Sequence, residues 1–413
     1  MRPIEVIRAA TRTLHDRIDH GEFAHAVLDG SITMQRYASF LRAVHIVLTA
    51  LEEVIELRDG AELRAAWTHG VERRERLSRD LAHLRADPRG VDAAVLYALV
   101  LAQQIRRDAR HGSAIMLGYL YVIEGSQLGG QFQRKALESR PELQGGGLAY
   151  LSGAGRDTQA QFRAFLVHLE SSLTDEAAVS SAVTGATRAF EGFAEIVKAV
   201  MSPSLEGRWL TEPLNPDAGT HPIPRDVREV QAALRAGERT FQTWAYYGAR
   251  YGERGLRFTR SDSCWLVTLA REDAALALRH VHWLAGVLAA RGMPSLLIEQ
   301  HLELLHAGLT AFVPERATAY DALRAAFQVL RSERLALLDD MRMHELASTF
   351  DAEDGELSPH EAGVLLVAAV LDEKRGIGQA VESLSSWFSD TDRFSDAWRA
   401  AASRTLEAAR AAC

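Results

Sequence analysis

Apolar residues recur every three or four positions along most of the chain, and runs alternating apolar with polar are scarce. That spacing predicts amphipathic helices and an all-α protein. The first stripe is Ile4, Ile7, Thr11, Leu14 and Ile18. Beside it run Arg8, Arg12, His15 and Asp19, since steps of i, i+4, i+7 and i+11 share one helical face. Helix-ending signals stand at Asp29–Gly30, in RADPRG ending at Gly90, and in SRPELQGGG at 139–147. They predict roughly five to seven helices before residue 202.

The pattern changes between Met201 and Arg225, where Pro203, Pro213, Pro216, Pro222 and Pro224 fall close together. No helix persists through that density. The chain is therefore expected to comprise an N-terminal domain over 1–202, a Pro-rich linker over 203–224 and a second all-α domain over 225–413. Breaks in the second domain are expected near YGERGLRFTRSDS, ARGMPS and DAEDGELSP. Its longest uncharged apolar run, AGVLLVAAVL, is too short to span a bilayer.

One segment conflicts with its own periodicity. IMLGYLYVIEGSQLGGQFQRKAL reads as a buried helix, yet it carries Gly125, Gly129 and Gly130. Each glycine weakens a helix by about 1 kcal/mol relative to alanine. Two readings fit: close helix–helix packing through Gly-x-x-x-Gly, or a backbone that must approach a flat ligand. Glu124, Gln131, Arg134 and Lys135 flank the glycines and exclude a membrane helix. The spacing is not Gly-x-Gly-x-x-Gly and no strand precedes it, which argues against a phosphate loop.

The polar stripe of the first helix also has two readings. It is a solvated face, or it is a site whose imidazole binds a metal and whose guanidiniums bind an anion. A heme satisfies the second reading, because its iron takes a neutral imidazole nitrogen and its propionates attract cations. His20 lies off this face and reads as a surface histidine.

Together the two stretches resemble heme oxygenase. The resemblance is carried by AATRTLHDR at 9–17, GEF at 21–23, RYASFL at 36–41, ALEEVIE at 50–56 and LGYLYVIEGSQLGGQ at 117–131. The last of these is similar to the bacterial form of the family's glycine-rich signature, and the resemblance covers residues 1 to about 200. It implies that His15 is the axial ligand of heme iron and that Gly125, Gly129 and Gly130 lie flat over the porphyrin. Arg8 and Arg12 would then stand near the propionates, with Arg188 in ATRAFEGFAEIVKAV as a further partner. It also implies cleavage of heme, at once cofactor and substrate, to biliverdin, carbon monoxide and ferrous iron. Ser126 departs from the aspartate found at that position in animal enzymes. It can order water but cannot carry a negative charge, which bears on the details of proton delivery more than on the activity. The alternative reading is a non-catalytic heme-binding or heme-sensing protein on the same fold. A non-heme metal oxygenase is disfavoured, because glycines stand where carboxylate and histidine ligands would be needed.

Composition narrows the partners. With 47% hydrophobic and 25% charged residues the chain is an ordinary globular protein. Its net charge of −8 argues against nonspecific nucleic-acid binding. Two cysteines, Cys264 and Cys413, give neither a disulfide framework nor a thiolate cluster. With no signal-peptide core at the N-terminus, a cytoplasmic protein is expected. No flavin or iron–sulfur motif is seen, so electrons would come from a separate ferredoxin or reductase.

The second half resembles no family. His280, His282, His301, His306, Glu299 and Glu303 form its densest polar cluster. Glu303-x-x-His306 has di-iron spacing but lacks the second copy that fold needs, so satisfied or surface histidines are the default. Arg254, Arg257 and Arg260 read as a solvated run with a weaker anion-binding alternative. A helical domain fused to a biliverdin producer would suit binding of the product, a photoreceptor or the electron donor.

Overall fold

The computed structural model describes residues 2–57, 61–67, 70–202, 210–353 and 357–413. Among them every regular element is helical, as the periodicity predicts. The chain divides into two compact units, Met1–Leu214 and Asn215–Cys413.

The first unit contains, among its described residues, α1 (Pro3–Asp19), α2 (Glu22–Leu28), α3 (Met34–Leu57), α4 (Ala61–Ala66), α5 (Gly70–His83), α6 (Ala93–Asp108), α7 (Ser113–Leu137), α8 (Thr158–Ser172) and α9 (Glu176–Met201). That exceeds the five to seven expected, because α2 and α4 span only 7 and 6 residues. Such pieces are too short to display a 3.6-residue period. The longer helices have clear starts: Asp92 caps α6 by accepting from Val95 N–H at 2.8 Å, and Asp175 caps α9 from Ala178 N–H at 2.8 Å. Ile7, Leu41, Leu48, Leu51, Leu120, Ala182, Ala186 and Ile196 are fully buried in one core.

Helix α9 organises this unit, because α1, α6 and α7 all pack along it. Its crossing with α7 is very close. A Cβ on Gly118 would overlap the carbonyl of Ala182, and one on Gly185 would overlap the carbonyl of Ile115. Glycine is required at both positions for the backbones to approach this far.

Of the expected linker, residues 203–209 lie outside the described residues. Residues 210–224 form turns and no helix, yet Thr211, Pro213, Leu214 and Pro224 are buried. The unit boundary falls after Leu214.

The second unit contains α10 (Val227–Thr243), α11 (Ala245–Leu269), α12 (Ala274–Ala289), α13 (Ser295–Phe312), α14 (Asp321–Leu335), α15 (Asp340–Ala347), α16 (Pro359–Lys374), α17 (Ala380–Phe388) and α18 (Asp396–Ala412). AGVLLVAAVL is the body of α16, and every residue from Ala362 to Asp372 is buried. A helix apolar all round belongs in the middle of a core. The break expected across YGERGLRFTRSDS is confined to Gly252, at φ 53° and ψ −148°, a conformation essentially restricted to glycine. The arginines beyond it lie on helix rather than in a loop. Among the described residues no helix is long and apolar enough to cross a membrane.

Candidate functional site

On α1 the stripes fall as the spacing predicts. Ile7 and Thr11 are buried, whereas Arg8, Arg12, His15 and Asp19 are exposed. The His15 side chain is 55% exposed, so its imidazole stands in the open rather than in the core. Its Nδ1 lies 3.3 Å from Asp19 Oδ2, one turn on. A carboxylate beside Nδ1 favours the tautomer with the proton there, which would leave the Nε2 lone pair for a ligand. The ring also meets Phe190 of α9 edge-on, with centroids 5.7 Å apart. Phe190 carried no signal in the sequence, because the contact joins residues far apart in the chain.

Helix α7 runs without interruption through the glycine-rich stretch, and none of its glycines has a positive φ. The glycines therefore act through the missing Cβ and not through a broken backbone. They do not act alike. Among the described residues, a Cβ on Gly129 would have nothing within 4 Å, and one on Gly125 would only touch the Phe162 ring at 3.7 Å. Gly130 is buried, and its Cβ would lie 3.3 Å from the Leu151 carbonyl. So Gly125 and Gly129, spaced i, i+4, leave a bare helix face, while Gly130 accommodates the turn around residue 151. Phe132, 72% exposed, continues the bare face one turn beyond Gly129. Close packing through Gly125 and Gly129 is not observed; that role belongs to Gly118 at the α9 crossing.

Ser126 is exposed, and its hydroxyl donates to the Ile123 carbonyl at 2.8 Å. Behind the bare face α7 is anchored by a buried ion pair. Arg73 of α5 grips Glu124 with two hydrogen bonds of 2.7 and 2.6 Å, and its guanidinium lies over Trp67 at 5.1 Å. Helices α1 and α7 both pack on α9, and α8 touches both.

Arg188 is placed differently from the other cations. Its guanidinium is held by buried Asp108, which also accepts from Tyr119 O–H at 2.7 Å. Two residues from Phe190, it points to another side of α9 than the ring that meets His15.

In the second unit four members of the polar cluster, Glu299, Glu303, His282 and His301, are met by partners within the unit. Glu299 is buried and accepts from Arg331 and Arg334 at 2.9 Å each, and Glu303 is taken by Arg331. His282 contacts Glu333 at 3.2 Å. His301 lies buried between the Thr240 and Ser263 hydroxyls at 2.9 and 3.0 Å, and burial pushes its imidazole down to about 4. No group of three or more potential ligands able to hold a metal exists among the described residues. Arg257 pairs with Asp217 at 2.9 Å and Arg254 lies over Phe258, so these arginines do not converge on an anion.

Comparison with known proteins matches residues 3–199 to the heme oxygenase family. A heme oxygenase of Xanthomonas campestris pv. campestris (strain 8004) is 31% identical over 178 residues, covering 43% of this chain and 98% of the relative. No family matches the C-terminal half.

Proposed function

The chain belongs to the heme oxygenase family, and on that premise we propose that it cleaves heme to biliverdin, releasing carbon monoxide and ferrous iron. The observation that carries this reading is the pairing of two helix faces on one support. His15, oriented by Asp19, stands on α1, the bare Gly125–Gly129 face stands on α7, and both helices lie along α9.

The residues suit a heme. His15 Nε2 would ligate the iron while Asp19 holds the proton on Nδ1. Gly125 and Gly129 would let backbone approach a flat macrocycle where any side chain would stand it off. Exposed Phe132 would gain apolar cover. Arg8 and Arg12, on the His15 face, would meet the propionates. Arg188 is the weakest of the proposed propionate partners, because Asp108 already holds it.

Bound heme supplies both the iron that activates oxygen and the carbon that is attacked. The protein's part is to fix the axial imidazole, exclude bulky groups from the opposite face and present one hydroxyl there. Ser126 is that hydroxyl, and it orders water without carrying charge. Electrons would come from a separate ferredoxin or reductase. Residues 225–413 are proposed as a helical accessory domain.

The test is to add hemin, oxygen and either ascorbate or ferredoxin with its reductase, and to follow the Soret band. Its decay with appearance of a bile-pigment spectrum is expected. A Soret band that survives repeated reduction would leave a heme-binding or heme-sensing protein.

A further inference from the structure

An axial imidazole holds a heme at one point and leaves the macrocycle free to turn in its own plane about the iron–nitrogen bond. Something at the rim must stop that rotation if one meso carbon is to be attacked. Arg8 and Arg12 are exposed on α1, and ion pairs made by long side chains in water contribute only about 0–1 kcal/mol each. A packed aromatic ring is a firmer stop.

Helix α8 supplies such a ring. Tyr121, Gly125, Gly129 and Phe132 follow one another along one face of α7. Toward Phe132 that face is open, since no described residue stands within 4 Å of the missing Cβ of Gly129. Toward Tyr121 it is closed by Phe162 of α8, with two ring carbons 3.7 Å from where the Cβ of Gly125 would be. Phe162 is set by packing on both sides. Its ring centroid lies 6.4 Å from that of Tyr121 and 6.4 Å from that of the buried Phe165, to which it is inclined by only 16°. Tyr121 and Phe162 are themselves only partly buried, which leaves part of each ring exposed. The helix beneath is held along its length: Thr158 Oγ1 accepts from Ala154 N–H at 3.1 Å, and His168 Nε2 meets the Glu62 carbonyl at 2.9 Å. Because α8 packs against α1 as well as α7, its ring stands at a fixed place relative to both.

We propose that Phe162 is a specificity-determining residue of the heme site. Its ring, backed by Tyr121 and Phe165, abuts one edge of the macrocycle, blocks in-plane rotation and so selects the meso carbon that is attacked. The inference rests on the proposed heme oxygenase reading. It adds to that reading a residue outside both the histidine helix and the glycine-rich helix.

The experiment compares Phe162→Ala and Phe162→Leu with wild type in the full chain, with two readouts. The first is the pattern of heme-methyl proton resonances in the ferric, cyanide-ligated complex. It reports in-plane orientation and needs binding but no turnover. Phe162→Ala is expected to raise the population of rotated orientations about fivefold or more. The second is the isomer composition of the bile pigment, separated by chromatography: one isomer should dominate in wild type and a second should appear in Phe162→Ala. Phe162→Leu keeps apolar bulk and should fall between them. Val167→Ala, at a position 69% exposed on the same helix, should change neither readout. Methyl patterns in both Phe162 variants that match wild type would overturn the proposal, as would an equal shift in Val167→Ala. If Phe162→Ala melts early, Phe162→Leu decides alone. If wild-type protein leaves the Soret band intact, the turnover reading fails, and the methyl pattern still decides whether Phe162 fixes the orientation. A chain that binds no hemin overturns both.

Discussion

Helix α7 carries glycines of opposite purpose. At Gly118 the missing side chain is filled by another backbone, the carbonyl of Ala182 across the α9 crossing. At Gly129, eleven residues on, no described residue lies within 4 Å of the missing Cβ. The first glycine was exchanged for contact between helices. The second weakens the helix with no return from any described residue, and the proposed heme reading supplies an external occupant for it. Composition alone does not separate them; only what faces each glycine does.

The largest effect that would break this contrast lies at the crossing. Gly118→Leu should destabilise the first unit by about 3 kcal/mol or more, because the backbones must separate. Thermal unfolding followed by circular dichroism measures this, and an unchanged melt would mean that the crossing is not close. Next comes Gly129→Leu, expected to keep or slightly raise the melting temperature while lowering hemin affinity about tenfold or more, since about 1.4 kcal/mol of lost contact suffices. An absorbance titration reads it, and undiminished affinity would place heme elsewhere. His15→Ala should likewise spare the melt but alter the ferric spectrum of bound heme. An unchanged spectrum would move the ligand to another histidine, with His20 and His45 the first to test. The finest comparison uses one chemical change at two places. Gly129→Ala should stabilise the apo protein by about 0.5–1 kcal/mol, as in any open helix interior, whereas Gly118→Ala should destabilise it. Equal signs from the paired melts would remove the distinction.

Much of the first unit is legible in its sequence because the informative partners are one or two helical turns apart. The apolar and polar stripes of α1, the His15–Asp19 pair and the Gly125–Gly129 spacing are all of this kind. What escapes is the set of contacts between distant segments. Arg73 meets Glu124 across 51 positions and Arg188 meets Asp108 across 80, and no periodicity relates them. Gly118 looks like an isolated glycine until Gly185 of α9 is set against it. The role of Gly130 depends on the turn at Leu151, which follows a glycine-rich stretch without pattern. In the second unit the clustering of histidines and glutamates suggests shared chemistry. Arg331 and Arg334, about thirty residues downstream, instead neutralise the glutamates.

Helix α9 carries a further consequence. Both walls of the proposed cleft rest on it, α7 through Gly118 and Gly185, and α1 through the packing that brings Phe190 against His15. Under the proposed heme reading it is a spacer gauge: the side chains on its two contact faces would set how far apart the imidazole and the glycine face stand. A methyl group added at Gly185 would press on the Ile115 carbonyl of α7 without altering any of the proposed heme-facing groups. On that reading, the clearance for a flat molecule is in this way written into residues that never meet it.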